Sequence, residues 1–263
     1  MQRTTLEGLK VIITRPEGQG TAMAEAVRTA GGTPVLLPMI RILPPEDLTA
    51  CDSALRQLNE YHALVFASTN AVHAFFGRAQ ALGMRSTLWR DTTAFAVGPA
   101  TAEALTTYGV AVAAVSAVAT GAALGAMLGA LDVAGKRFLL PRGDRGREEI
   151  AAALSAAGAE VVPLIVYRTV GPDAATTAAL HAAMRTDERT ALFFASPSAV
   201  EEFSAICTAE EHAHILRSWV VVTIGSTTAA AARRCALPVH AIAGAPTDAG
   251  MIDALAGCLR PVA

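Results

Sequence analysis

Runs of five or six apolar or β-branched residues recur along the chain, and between them the apolar positions fall three and four residues apart. The runs are KVIIT at 10–14, ALVFA at 63–67, TAFAV at 93–97, residues 110–115 and KRFLL at 136–140. Short continuous apolar runs predict strands of a parallel sheet that is covered on both faces. The intervening period is helical. Leu48, Cys51, Leu55 and Leu58 share one face of 48–58, and Val72, Phe75, Phe76 and Ala79 share one after Ser68. Gly31, Gly109 and Gly158 stand where a helix gives way to a strand, the position that favours a left-handed residue. This alternation predicts an α/β fold with doubly wound parallel sheets.

The pattern is also duplicated. ALVFASTNAVHAFF at 63–76 matches ALFFASPSAVEEFS at 191–204, with Ser68 over Ser196 at a spacing of 128. FAVGPATAEAL at 95–105 matches VTIGSTTAAAA at 222–232, with Gly98 over Gly225 at 127. Arg15 over Arg142, Gly31 over Gly158 and Thr120 over Thr247 keep that 127-residue spacing. One unit of about half the chain therefore occurs twice, and the repeat alone would cut the chain near residue 135. LLPMIRILPP at 36–45 and VVPLIVYRTV at 161–170 are equivalent within it. Both are extended and marked by proline, as inner strands or as paired hinge strands between lobes would be.

Composition narrows this picture. A chain of 263 residues has room for two modest domains. It is 52% hydrophobic, yet Gly, Pro or charge interrupts every apolar stretch before the ~20 residues of a membrane span. The opening MQRTTLEGLK carries no apolar export segment, which predicts a cytoplasmic protein. Cys51, Cys207, Cys235 and Cys258 are scattered without a C-x-x-C pair and read as thiols. A net charge of −2 argues against a broad nucleic-acid surface, so an anionic ligand would be held by local features.

Such features recur at the strand-to-helix junctions, where helix N-termini point amides outward beyond the sheet. Ser68, Thr69 and Asn70 form one junction, and Gly98 to Thr101 a second. Ser196, Pro197 and Ser198 form a third, and Gly225 with Thr227 and Thr228 a fourth. Each combines hydroxyls with a residue that lets backbone approach, which suits carboxylate or phosphate recognition, although the same hydroxyls serve as ordinary helix caps. No junction has the G-x-G-x-x-G or Walker A spacing, and no G-x-S-x-G elbow occurs. LLPRGDRGREEI at 139–150 adds Arg142, Arg145 and Arg147, with Gly143 and Gly146 opening the backbone. The alternative for this loop is charge pairing with Asp144, Glu148 and Glu149, and Arg15 carries the same ambiguity. EEHAH at 210–214 reads as a surface helix, not a metal site, because its histidines are two residues apart. Tyr167 by itself reads as a packing residue.

Taken in order, VIITRPEGQG, LVFASTNAV, FAVGPATAEAL, LLPRGDRGRE, GAEVVPLIVYRT, LFFASPSAVEEF, VTIGSTTAAA and APTDAG resemble the uroporphyrinogen-III synthase family over nearly the whole chain. The resemblance implies two flavodoxin-like or Rossmann-like lobes joined by two strands, with the active site in the cleft. One lobe would be 1–36 with 169–263 and the other 42–162, with 37–41 and 163–168 as the connecting strands. The implied reaction closes hydroxymethylbilane, a linear tetrapyrrole with eight carboxylates, to uroporphyrinogen III. Water is lost and ring D is inverted through a spiro intermediate, without metal or organic cofactor. By the resemblance Tyr167 assists departure of the hydroxyl, while Ser68, Thr101, Ser196, Ser198 and Thr228 bind substrate. A monomer with no nucleic-acid or membrane partner is expected, together with transient contact with the enzyme that supplies the substrate. The rival expectation is a two-lobed binding module for a carboxylated or phosphorylated small molecule. A receiver-like regulatory module is disfavoured, because the strand-end acidic cluster it needs is missing.

Overall fold

The computed structural model describes residues 6–146 and 148–259, so Arg147 lies outside the described residues. The apolar runs become strands of two sheets. Strands β1 (Lys10–Ile13), β2 (Thr33–Leu36), β9 (Thr190–Phe194), β10 (Trp219–Thr223) and β11 (Ala241–Ile242) make a sheet ordered β11-β10-β9-β1-β2. Strands β3 (Arg41–Leu43), β4 (Ala63–Phe66), β5 (Thr93–Ala96), β6 (Ala111–Val115), β7 (Arg137–Gly143) and β8 (Glu160–Val170) make another, ordered β3-β8-β7-β4-β5-β6. The pairings within the first sheet are parallel, as are those linking β4 to β8. Pairing does not follow the repeat boundary near 135. β1 lies beside β9 from the other half of the chain, and β7 lies beside β4. Contacts divide the described residues into a first unit, up to Arg41 with Val170 onward, and a second unit, Ile42–Thr169.

Alternation along each strand explains the unbroken apolar runs. In the first unit Val11 and Ile13 face helices α1 (Thr21–Thr29) and α11 (Asp248–Cys258), packing with Met23, Val27, Met251 and Leu255. Ile12 turns to the opposite cluster with Leu180, Phe203, Ile215 and Ala231. These come from α7 (Ala174–Met184), α8 (Pro197–Ile206), α9 (Ala209–Ser218) and α10 (Ser226–Arg234). In the second unit Leu64 and Phe66 pack on α2 (Thr49–Arg56), α3 (Thr69–Ala81) and α4 (Pro99–Thr107) through Leu55, Phe75, Phe76 and Leu105. Ala63 and Val65 meet Leu124, Leu128, Ile150 and Leu154 of α5 (Gly121–Gly129) and α6 (Glu149–Ala156). Such burial contributes roughly 25 cal/mol per Å² of apolar surface, so each fully covered Leu or Phe side chain adds about 2 kcal/mol.

The helix punctuation read from the sequence has its physical counterpart. Ser68, Thr120, Ser196 and Thr247 each accept a hydrogen bond from the amide three residues on, which satisfies a donor that the helix cannot. Gly31, Gly109 and Gly158 have φ of +88°, +76° and +85°, a region that penalises a Cβ. The helix expected over 48–58 is shorter, because Thr49–Arg56 is followed by a 3-10 turn at Leu58–Glu60. The equivalent segments 36–45 and 161–170 part company. The second becomes the 11-residue strand β8, whereas the first yields only the end of β2 and the three residues of β3. Because β3 is so short, most of the outer edge of β8 is unpaired, which tolerates Pro163. No helix among the described residues is long and apolar enough to cross a membrane.

Candidate functional site

The rim of the second unit forms where β4, β7 and β8 end. Ser68 follows β4 in extended conformation and caps α3, its Oγ accepting from the Ala71 amide at 3.1 Å. The same Oγ lies 3.4 Å from the hydroxyl of Tyr167, contributed by β8 two strands away. Thr69 and Asn70 occupy the first turn of α3, half-buried, where positive dipole and outward amides favour an anion. Gly143 is buried at the end of β7, paired with Tyr167. Its neighbour Asp144 donates its amide to the Tyr167 carbonyl and accepts from the Thr169 amide at 2.9 Å, tying the loop to β8.

Arg142 and Arg15, two of the arginines expected to meet a ligand, are engaged within their own units. Arg142 donates to Glu148 at 2.7 Å and to the Gly146 carbonyl, with its side chain 11% exposed. Arg15 donates to Asp248 at 2.7 Å, both half-buried. Asp248 opens α11, and nothing in the sequence joins it to a residue 233 positions earlier. The acidic first turn after Thr247 was the only readable signal. Arg15 also borders a cavity of about 320 Å³ in the first unit, with Glu17, Leu36, Arg41, Asp173 and Thr176. Amide hydrogen bonding from Thr176 to the Asp173 carboxylate, the cap of α7, holds this carboxyl below its ordinary range.

In the first unit Ser196 caps α8 by accepting from the Ala199 amide at 3.2 Å, with Pro197 and Ser198 following in the first turn. Gly98 and Gly225 precede α4 and α10 with φ of −173° and −176°, an extended conformation that any residue adopts. Space distinguishes them. A Cβ on Gly98 would meet Ala119 Cβ at 3.0 Å, whereas one on Gly225 would meet nothing within 4 Å. Thr101 and Thr228 are only 4% and 3% exposed, in the first turns of α4 and α10, whereas Thr227 is exposed. The structure thus brings Ser68, Tyr167 and Gly143 together in the second unit and Arg15 to a cavity in the first. The EEHAH segment lies in helix α9. Glu211 completes a capping box with Thr208 and pairs with His181, while His212 lies 3.3 Å from Ser204.

Comparison with known proteins gives the relatives of this chain. The family described as uroporphyrinogen-III synthase HemD matches residues 21–253. The uroporphyrinogen-III synthase of Synechococcus elongatus is 30% identical over 77% of this chain and 76% of its own. That of Chlorobaculum parvum is 25% identical over 88% and 92%. Among solved structures, a mutant uroporphyrinogen III synthase from Thermus thermophilus superposes with a TM-score of 0.67 at 20% identity, covering 95% of this chain and 98% of the other. The Helicobacter pylori uroporphyrinogen-III synthetase gives 0.64 at 18%, covering 97% and 100%. At these identities the structural likeness is one of fold.

Proposed function

The chain belongs to the uroporphyrinogen-III synthase family, and from that premise we propose that it closes hydroxymethylbilane to uroporphyrinogen III as a cyclising hydro-lyase of tetrapyrrole biosynthesis. The observation that carries the reading into this chain's own residues is the Tyr167 hydroxyl beside Ser68 Oγ, 3.4 Å away at the N-terminus of α3. Departure of the substrate's hydroxymethyl oxygen as water leaves an electrophilic azafulvene on ring A. The substituted carbon of ring D then forms a bond to it, giving a spiro centre that fragments and recloses with ring D inverted. Tyr167 is assigned a hydrogen bond to the departing oxygen, with Ser68 fixing the direction of the phenol.

The rest of the work is placement. The uncatalysed closure gives the symmetrical isomer, so holding the two ends in the spiro-forming geometry decides the product. Ser68, Thr69, Asn70, Gly98 and Thr101 are assigned to substrate carboxylates on the second-unit rim. Ser196, Pro197, Ser198, Gly225, Thr227 and Thr228 are their counterparts on the first-unit rim, since helix N-termini with hydroxyls favour carboxylates. Arg15 and Arg142 would engage the substrate by exchanging their present carboxylate partners for its own.

The test is to mix purified protein with freshly made hydroxymethylbilane and resolve the isomers formed. Isomer III made faster than the spontaneous reaction is expected, whereas isomer I alone at the spontaneous rate overturns the reading. Tyr167→Phe should lower kcat about ten- to a hundredfold with the fold intact, the span of one hydrogen bond to a charged group.

A further inference from the structure

We infer that Gly143 is the seat on which Tyr167 is positioned, so that this glycine acts through the tyrosine and not as backbone offered to a ligand. Three features of the β7–β8 pair carry this. The first is register. Arg142 pairs with Ile165 but Gly143 with Tyr167, so β8 has one residue more than β7 at this point. Before the slip Val162 and Leu164 alternate onto the face that packs on α3, as does Val166, the extra residue itself. Strict alternation would send Tyr167 to the opposite face, and the extra residue turns it back toward the helix that Ser68 caps. Bulges re-aim side chains in this way.

The second is space. A Cβ built on Gly143 would lie 2.5 Å from both Cε2 and Cζ of Tyr167 and 2.8 Å from its hydroxyl. Gly143 is not among the glycines with positive φ, so its backbone does not demand glycine, and the overlying ring does. The ring must pass across β7 to bring a residue of β8 to one at the end of β4. Neighbouring strands lie about 4.8 Å apart, so only a bare middle strand lets a tyrosine span them. Asp144 then fixes the arrangement through its bonds to the Tyr167 carbonyl and the Thr169 amide.

The third is the repeat. The residues 127 positions before Gly143 and Tyr167 are Pro16 and Ile40, so the other copy lacks both the bare strand and the hydroxyl. At these two positions glycine and tyrosine occur together in one copy of the repeat and are both replaced in the other.

The part of this inference that concerns turnover rests on the reading of Tyr167 given above, and the experiment keeps the two separable. The full chain has three tyrosines, so labelling them at the ring ζ-carbon gives three NMR signals, with that of Tyr167 identified by its loss in Tyr167→Phe. In Gly143→Ala the Tyr167 signal should shift while those of Tyr61 and Tyr108 stay in place; an unmoved Tyr167 signal overturns the seat. Gly143→Ala should also lower kcat by about as much as Tyr167→Phe, with KM changed by less than about twofold. Added to Tyr167→Ala, where no ring remains to be displaced, it should change kcat by less than about twofold. A further tenfold fall in that background would mean that Gly143 meets the substrate itself. If Gly143→Ala does not fold, the double variant decides, since recovered folding supports the seat and persistent unfolding overturns it. Should Tyr167→Phe leave kcat untouched, the reading of Tyr167 falls while the NMR shift still decides the seat.

Discussion

Ser68 in the second unit and Ser196 in the first cap their helices by the same bond, from the amides of Ala71 and Ala199 at 3.1 and 3.2 Å. Gly98 and Gly225 share one extended conformation, and Thr101 and Thr228 are buried alike. The strand order β8-β7-β4-β5-β6 of one sheet is the order β2-β1-β9-β10-β11 of the other. What differs is laid on this common frame. Tyr167 reaches Ser68 in the second unit, while Ile40 occupies its repeat position in the first. Ala119 crowds Gly98, while the space beside Gly225 is open. The capping bonds of Ser68 and Ser196 have a cause in folding whatever else these serines do, because any helix entering from a parallel strand needs a cap. The positions where the copies diverge are the ones that call for a chemical explanation.

The largest break in the comparison lies in the cores. Phe76 stacks with Tyr108 at 5.3 Å and meets Phe75 and Trp89 at 5.2 and 5.4 Å, while the aligned residue of the other copy is Ser204. Phe76→Ala should cost about 3–5 kcal/mol. Ser204→Ala removes one contact to His212 and should cost about 1 kcal/mol or less. The chain has two tryptophans, Trp89 in the second unit and Trp219 in the first, each buried. Urea unfolding followed in single-tryptophan variants reads the units separately. Equal destabilisation at both tryptophans by Phe76→Ala would show that the units unfold as one and would remove the distinction between their cores.

A smaller and sharper test compares the two caps. Ser68→Ala and Ser196→Ala should each cost about 1 kcal/mol, the usual loss for an N-cap. Their kinetics should separate, with Ser68→Ala lowering kcat because Tyr167 loses its neighbour, and Ser196→Ala acting chiefly on KM. Matching kcat losses from both would place the chemistry on the shared frame and not on its divergence.

Much of the frame was legible in the sequence because its causes are local. Strand runs, the glycines at positive φ and the capping serines depend on residues a few positions apart, and duplication displayed the strand runs, the capping serines and the Gly31–Gly158 pair twice. The site was legible only in part. Ser68 and Tyr167 could be named singly, but their approach depends on a one-residue slip between β7 and β8, and periodicity within one strand cannot show a register. Gly143 reads in sequence as backbone open to a ligand, whereas the space it leaves is filled by a ring. Arg142 reads in sequence as either facing a ligand or paired with an acid of its own loop, and Glu148 is the acid that takes it, whereas Asp248, which holds Arg15, is too distant in sequence to be read as its partner.

The smallest expected effect concerns acid. Each unit joins two helices through a carboxylate whose pKa is held down. In the second, Arg78 of α3 donates both Nε and Nη2 to Asp52 of α2 at 2.7 Å, and this pairing lowers the Asp52 pKa. In the first, burial pushes Glu211 up, but hydrogen bonds from Thr208 and His181 prevail and lower it. A carboxyl whose folded pKa lies below its unfolded value, about 3.9 for Asp and 4.3 for Glu, contributes its full stability above that unfolded value. The contribution fades as pH falls through the folded pKa. The stability gap between the native chain and Asp52→Asn, read at Trp89, should therefore be widest above about pH 4 and close on acidification. Glu211→Gln should show the same closing gap at Trp219. A gap at Trp89 that stays constant down through the acid range would mean that Asp52 gains nothing from Arg78 beyond what an uncharged amide gains. The second unit would then lose its claim to a charge-based clasp of its own.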